Sequence, residues 1–176
     1  MEALALVPIR VADERLTAVA RAITATHVNG EVGLGQFALQ DMTGDFVGAF
    51  RREPGRLNEF FANPVVTETL RTPPPLDAPA GLGFERRDEA AATEEIARPL
   101  QQGGAYENYK GSTEDALRLA RKFVRAAGGD DPGGALIFST FAAWSPWFFD
   151  VAWDGTWLWL NRTTGVFTVF LKTDTD

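Results

Sequence analysis

The 176-residue chain contains no cysteine. Disulfides, thiolate nucleophiles and cysteine-ligated zinc or iron–sulfur sites are therefore excluded. The absence fits a reducing compartment, and a cytoplasmic location is expected. There is one histidine, His27. Any serine–histidine hydrolase would have to use it, yet none of Ser112, Ser139 and Ser145 lies in a Gly-x-Ser-x-Gly setting. A single histidine continuing an apolar helix stripe reads as a packed residue. Gly30, Gly33 and Gly35 do not form the dinucleotide fingerprint, and no Walker sequence occurs, which argues against a bound nucleotide. No run approaches the ~20 apolar residues of a membrane span. The start, Met1 to Pro8, has neither the basic region nor the apolar length of a signal peptide. Asp130 and Asp131 are adjacent, but not at EF-hand spacing. No catalytic residue, cofactor or metal ligand is assigned, and the reading leans away from an enzyme.

What is present describes an ordinary globular chain: 45% hydrophobic, 23% charged. A single α+β domain over residues 1–176 is expected. The net charge of −7 argues against nucleic acid and anionic membranes and suits a cationic protein partner.

The organising stretch is Phe148 to Lys172, read as an antiparallel meander with strands Phe148–Trp153, Thr156–Asn161 and Val166–Lys172. Asp154-Gly155 is the strongest short hairpin signal, because a type I′ turn needs positive φ at both central residues. It sets Trp153 opposite Thr156 and Asp150 opposite Trp159. A loop ending in Gly165 sets Leu160 opposite Phe167. Side chains alternate across a sheet, so two faces follow. One carries Phe149, Val151, Trp153, Leu158, Leu160, Phe167, Val169 and Leu171 and is the core face. The other carries Phe148, Asp150, Trp157, Trp159, Phe170 and Lys172 with several polar neighbours. This second face is either covered by another layer or presented to a partner, and helices on one side of about four strands would leave it partly accessible.

Taken in order, Ala3–Val11, interrupted by Pro8, reads as an edge strand. Asp13 caps a helix running to about Thr26. Gly30 to Gly35 reads as a flexible loop, and Gln36–Met42 as a strand. Thr43-Gly44 begins a turn. Asp45–Arg52 is ambiguous between helix and strand. Pro54 opens a helix to about Thr72 that Pro64 breaks or kinks. The Pro-rich stretch 72–79 is a rigid crossover. A short acidic helix, Asp88–Arg98, stops at Pro99. Ser112 and Asp115 form a capping-box variant at the start of the clearest helix, which ends near Gly128. Its buried stripe is Ala116, Ala120, Phe123, Val124 and Ala127. Arg118, Arg121, Lys122 and Arg125 form a basic outer face, open to an acidic segment or to solvent alone. Ala135–Phe141 reads as a buried strand.

In outline — acidic, α+β, helices ahead of an aromatic sheet — the chain resembles the SUKH group of bacterial immunity-type proteins. The resemblance is one of outline and carries over no site residue. With it, the acidic charge, the missing catalytic motifs and the aromatic second face lead to the expectation of a non-catalytic binding protein, an inhibitor or immunity factor for a basic partner. On this reading Trp157 and Trp159 anchor the partner, with Asp150, Phe148, Phe170 and Lys172 around them, since tryptophan dominates interface hot spots. Two alternatives stand beside it. One is a small hydrolase using Asp150, whose pKa a tryptophan environment would raise. The other is a subunit that forms homodimers through the same face.

Overall fold

The computed structural model describes residues 4–41, 46–53, 55–76, 82–104 and 106–175. Among the described residues, six strands form one antiparallel sheet: β1 (Leu6–Ile9), β2 (Glu31–Leu39), β3 (Glu85–Arg87), β4 (Ala135–Thr140), β5 (Gly155–Asn161) and β6 (Val166–Thr173). Their spatial order is β1-β2-β6-β5-β4-β3. The same described residues form the helices α1 (Glu14–Thr26), α2 (Phe46–Arg52), α3 (Gly55–Ala62), α4 (Pro64–Leu70), α5 (Glu89–Gln102) and α6 (Thr113–Gly128). The α+β class holds, with six strands rather than about four. Among the described residues no helix is long and apolar enough to cross a membrane.

Helices lie on both sheet faces, not one. Leu136, Phe138, Leu158, Leu160, Phe167, Val169 and Leu171 pack with Phe37 beneath Phe50, Leu57, Phe60, Phe61, Val66 and Leu70 of α2 to α4. Ile137, Trp157, Trp159 and Phe170 pack on the other face beneath Leu16, Val19 and Ile23 of α1, Ile96 and Leu100 of α5, and Phe123 of α6. The second face is therefore covered: Trp157 and Phe170 are buried and Trp159 is fully shielded from solvent. The amphipathic helices α1, α5 and α6 do this because each carries an apolar stripe at helical spacing that must be buried somewhere.

The helix ends form for local reasons. Asp13 accepts from the Arg15 N–H at 2.9 Å and caps α1. Ser112 and Asp115 form the reciprocal capping box of α6. Asn63 caps α4 with Pro64 in its first turn, so the chain breaks there into α3 and α4. Pro54, the turn at Thr43-Gly44 and residues 77–79 of the crossover lie outside the described residues. Residues 72–76 have no regular structure, and the Pro73 carbonyl accepts from the Ser145 hydroxyl at 2.9 Å. Pro99 does not stop α5, which continues to Gln102; Gly129, one residue later than expected, closes α6 in a left-handed conformation.

The second hairpin has the expected register, with Leu160 opposite Phe167 and Leu158 opposite Val169. The first does not form. Residues 148–153 are turns and bends, and β5 pairs instead with β4, with Thr140 opposite Thr156 and Leu136 opposite Leu160. Gly155 has a packing reason rather than a turn reason. A Cβ there would lie 2.5 Å from the Trp157 ring, so the indole needs a glycine beside it. Asp154 is buried and accepts from the Val151 N–H and the Thr173 hydroxyl. A similar demand explains the glycines of β2, which the sequence suggested were a loop: a Cβ on Gly35 would lie 2.9 Å from the Leu70 side chain of α4.

Candidate functional site

Where β5 begins and β6 ends, the sheet meets the C-terminal ends of α1 and α5, and a cavity of about 180 Å³ opens there. One face of α5 supplies Glu95, Arg98, Pro99 and Gln102 to its lining, at the i, i+3, i+4, i+7 spacing that keeps side chains on one stripe. The β4–β5 loop supplies Phe141, Ala152, Trp153 and Asp154, and the strands supply Trp157 and Lys172. That loop, 141–154, is long and irregular, the usual setting for a binding segment held by a rigid scaffold. The volume is far above the roughly 10–15 Å³ that admits one water. It is below the roughly 300 Å³ at which pockets for drug-sized ligands begin.

The walls are aromatic. Phe141 meets Trp157 edge-on with ring centroids 5.7 Å apart, and the Lys172 ammonium sits 5.2 Å from the Trp153 ring centroid. Glu95 is fixed on two sides. It accepts from the Trp157 indole N–H at 2.8 Å and pairs with Arg87 at 2.6 Å. Arg98, Gln102, Ala152 and Phe141 are exposed and form the mouth.

Lys172 is the anomaly of the site. It is only 3% exposed, and among the described residues its Nζ has no hydrogen-bond partner. Buried ammonium groups are ordinarily paired, because taking the charge out of water is costly. Burial lowers the Lys172 pKa to about 8, while the nearby carboxylates of Asp174 and Asp154 pull it back up. Both carboxylates are themselves buried and engaged, Asp154 as above and Asp174 by the Thr175 N–H at 2.8 Å. The negative ends of the α1 and α5 dipoles also favour a cation here.

His27 stands behind Trp153, 6.1 Å from it ring to ring. It closes α1, its Nδ1 is 2.8 Å from the Thr26 hydroxyl, and its Nε2 has no partner. Burial and then the Lys172 charge lower its pKa, with Asp174 opposing. The folded protein thus disfavours imidazolium. As pH falls below about 6.5, unfolded chains take up a proton that the native site resists, so stability falls with pH. Wild type is expected to lose more stability than His27→Gln on going from about pH 7.5 to pH 5.5. Urea midpoints for both proteins check this, and equal losses would place His27 in a solvated environment.

The residues singled out in the sequence are dispersed. Trp157 and Lys172 meet at the cavity, while Trp159 and Phe170 are core beneath α6, each packed edge-on against Phe123. Phe148 is buried in the opposite core against Trp144, because residues 148–153 do not continue the sheet. Asp150 is exposed in a loop at φ 58°, and Trp159 stands opposite Ile137 and Thr168 instead. Arg118, Arg121, Lys122 and Arg125 are exposed on α6, and Arg118 pairs with Asp115. Asp130 holds Arg15 through two hydrogen bonds of 2.6 and 2.8 Å, tying α1 to the end of α6. The sequence reading missed Glu95, Arg98, Phe141, Trp153 and Asp154. The stripe Glu95, Arg98, Pro99, Gln102 was the available signal for these, whereas Lys172 was already singled out.

Comparison with known proteins gives no matching family model and no significant match among curated proteins.

Proposed function

We propose that this is a binding protein whose recognition element is the Lys172 cavity. Its ligand is a small, flat molecule that offers an oxygen or nitrogen acceptor to the ammonium. The observation that carries this reading is the unpartnered, buried Lys172 Nζ beside walls of Trp153, Trp157 and Phe141. The arrangement matches what small-ligand sites require: aromatic surface for area and one convergent polar group for orientation. The cost of leaving that group unpaired is relieved when a ligand arrives. The chain holds five tryptophans, so each indole N–H is a resolvable reporter. On titration with benzyl alcohol as the probe, the Trp153 and Trp157 indole signals are expected to shift, while those of Trp144, Trp147 and Trp159 stay in place. Shifts spread evenly over all five, or no shift at all, would overturn the reading.

A second reading is favoured by the exposed rings of Phe141 and Phe149 on the same loop. Here a protein partner, cationic to suit the net charge of −7, seats on the loop and closes the cavity mouth.

A further inference from the structure

We propose that Lys172 is a reactive amine that captures a small carbonyl compound in the cavity as an imine. The proposal rests on the cavity reading above and adds a covalent step. Three observations converge on it. The Nζ carries no hydrogen bond among the described residues, so none must be broken before nitrogen bonds to carbon. Lys172 lines a cavity with room for an organic molecule and aromatic walls to hold its body. The surroundings favour the neutral amine, because burial takes the ammonium from its ordinary value of 10.5 to about 8. Lysines desolvated in this way serve as Schiff-base nucleophiles.

The charged and titratable groups around the amine come from the end of α1, from α5, from the β4–β5 loop and from the residues after β6. His27 stands at the end of α1, and Glu95 and Arg98 lie on α5. Asp154 is at the loop end and Asp174 follows β6. Asp154 and Asp174 oppose deprotonation, but burial outweighs them. Glu95 is neutralised by Arg87.

The step balances without an oxidant or reductant. The neutral Lys172 nitrogen adds to the carbonyl carbon, forming the C–N bond while the C=O π electrons move to oxygen. A proton passes from nitrogen to that oxygen to give the carbinolamine. Loss of the hydroxyl with a second nitrogen proton, as water, leaves the C=N bond. Amine and carbonyl thus become imine and water.

The chain has only three lysines, and Lys110 and Lys122 are exposed, which makes the test direct. The whole protein is incubated with benzaldehyde and sodium cyanoborohydride at about pH 7.5, then read by intact mass and peptide mapping. Among the lysines, addition at Lys172 is expected at least about tenfold faster than at Lys110 or Lys122, because its neutral fraction is far larger; the α-amino group, with an ordinary pKa of about 8, is read separately in the peptide map. Benzyl alcohol should slow it by competing for the cavity. The rate should rise with pH to a plateau above about 8. Lys172→Arg, which keeps the positive charge, should lose this addition while the other lysines react unchanged. If the Trp153 and Trp157 indoles respond to benzyl alcohol but Lys172 gains no adduct, the imine proposal falls and the cavity reading stands. If neither happens, both fall. If Lys172 reacts no faster than Lys110 and benzyl alcohol gives no protection, the amine is an ordinary one and the proposal is overturned.

Discussion

Trp159→Ala is expected to destabilise the protein by about 3–5 kcal/mol, the range for deleting a large buried aromatic from a core that cannot collapse around it. Trp159 is fully shielded, stands opposite Ile137 on one side and Thr168 on the other, and meets the Phe123 ring edge-on at 5.4 Å. Two strands and α6 hold that space open. Trp159→Phe is the informative companion. The indole Nε1 has no hydrogen-bond partner, so phenylalanine removes an unsatisfied donor along with the volume. Its cost should be well below that of alanine. Denaturation midpoints and slopes of the two variants check both statements. A loss under about 1 kcal/mol for alanine would mean the face is not a core.

Lys172→Met is expected to act in the opposite direction and stabilise the folded protein at neutral pH. The gap between the ordinary lysine value of 10.5 and about 8 corresponds to about 3 kcal/mol, an upper bound on the gain. Methionine fills similar volume without a charge to desolvate, and exchanging buried charges for apolar groups is often stabilising. The pH dependence has a definite sign. Below about 8 both folded and unfolded states hold the proton, and the whole cost of the buried charge is present. Between about 8 and 10.5 the folded state releases it first, so wild-type stability rises with pH towards that of the variant. Above 10.5 the charge-related difference is gone. Chemical denaturation of both proteins at about pH 7 and pH 10 measures this. Stabilisation by loss of a residue marks a group kept for function at the expense of the fold. A destabilised variant would instead identify Lys172 as a satisfied structural residue.

The sequence made the periodic elements legible. The apolar stripes of α1 and α6, their Asp13 and Ser112 caps, the break at Pro64 and the β5–β6 register all follow from local patterns with one dominant solution. What misled was glycine and proline used for packing. Asp154-Gly155 has the composition of a hairpin turn, but Gly155 makes room for the Trp157 ring and Asp154 is buried between Val151 and Thr173. With that turn gone, β4 pairs with β5 and residues 141–154 become the loop that walls the cavity. Which sheet faces are covered was not local information. It depends on six helices dividing between two sides, and their stripes do not say which side each takes. The candidate site was half visible for the same reason. The β6 pattern put Lys172 on the Trp157 face, but its burial depends on α1 and α5 ending above it, and Trp153 reaches it only through the loop.

The central claim is that Lys172 is a buried, unpaired amine poised near neutrality. The direct measurement is an NMR titration of lysine labelled with carbon-13 at Cε, assigned with Lys172→Arg. With three lysines in the chain, three signals are followed. The account predicts that the signal missing from the variant titrates with a midpoint near 8. A midpoint at the ordinary 10.5 would contradict it, showing a solvated or paired ammonium at this position.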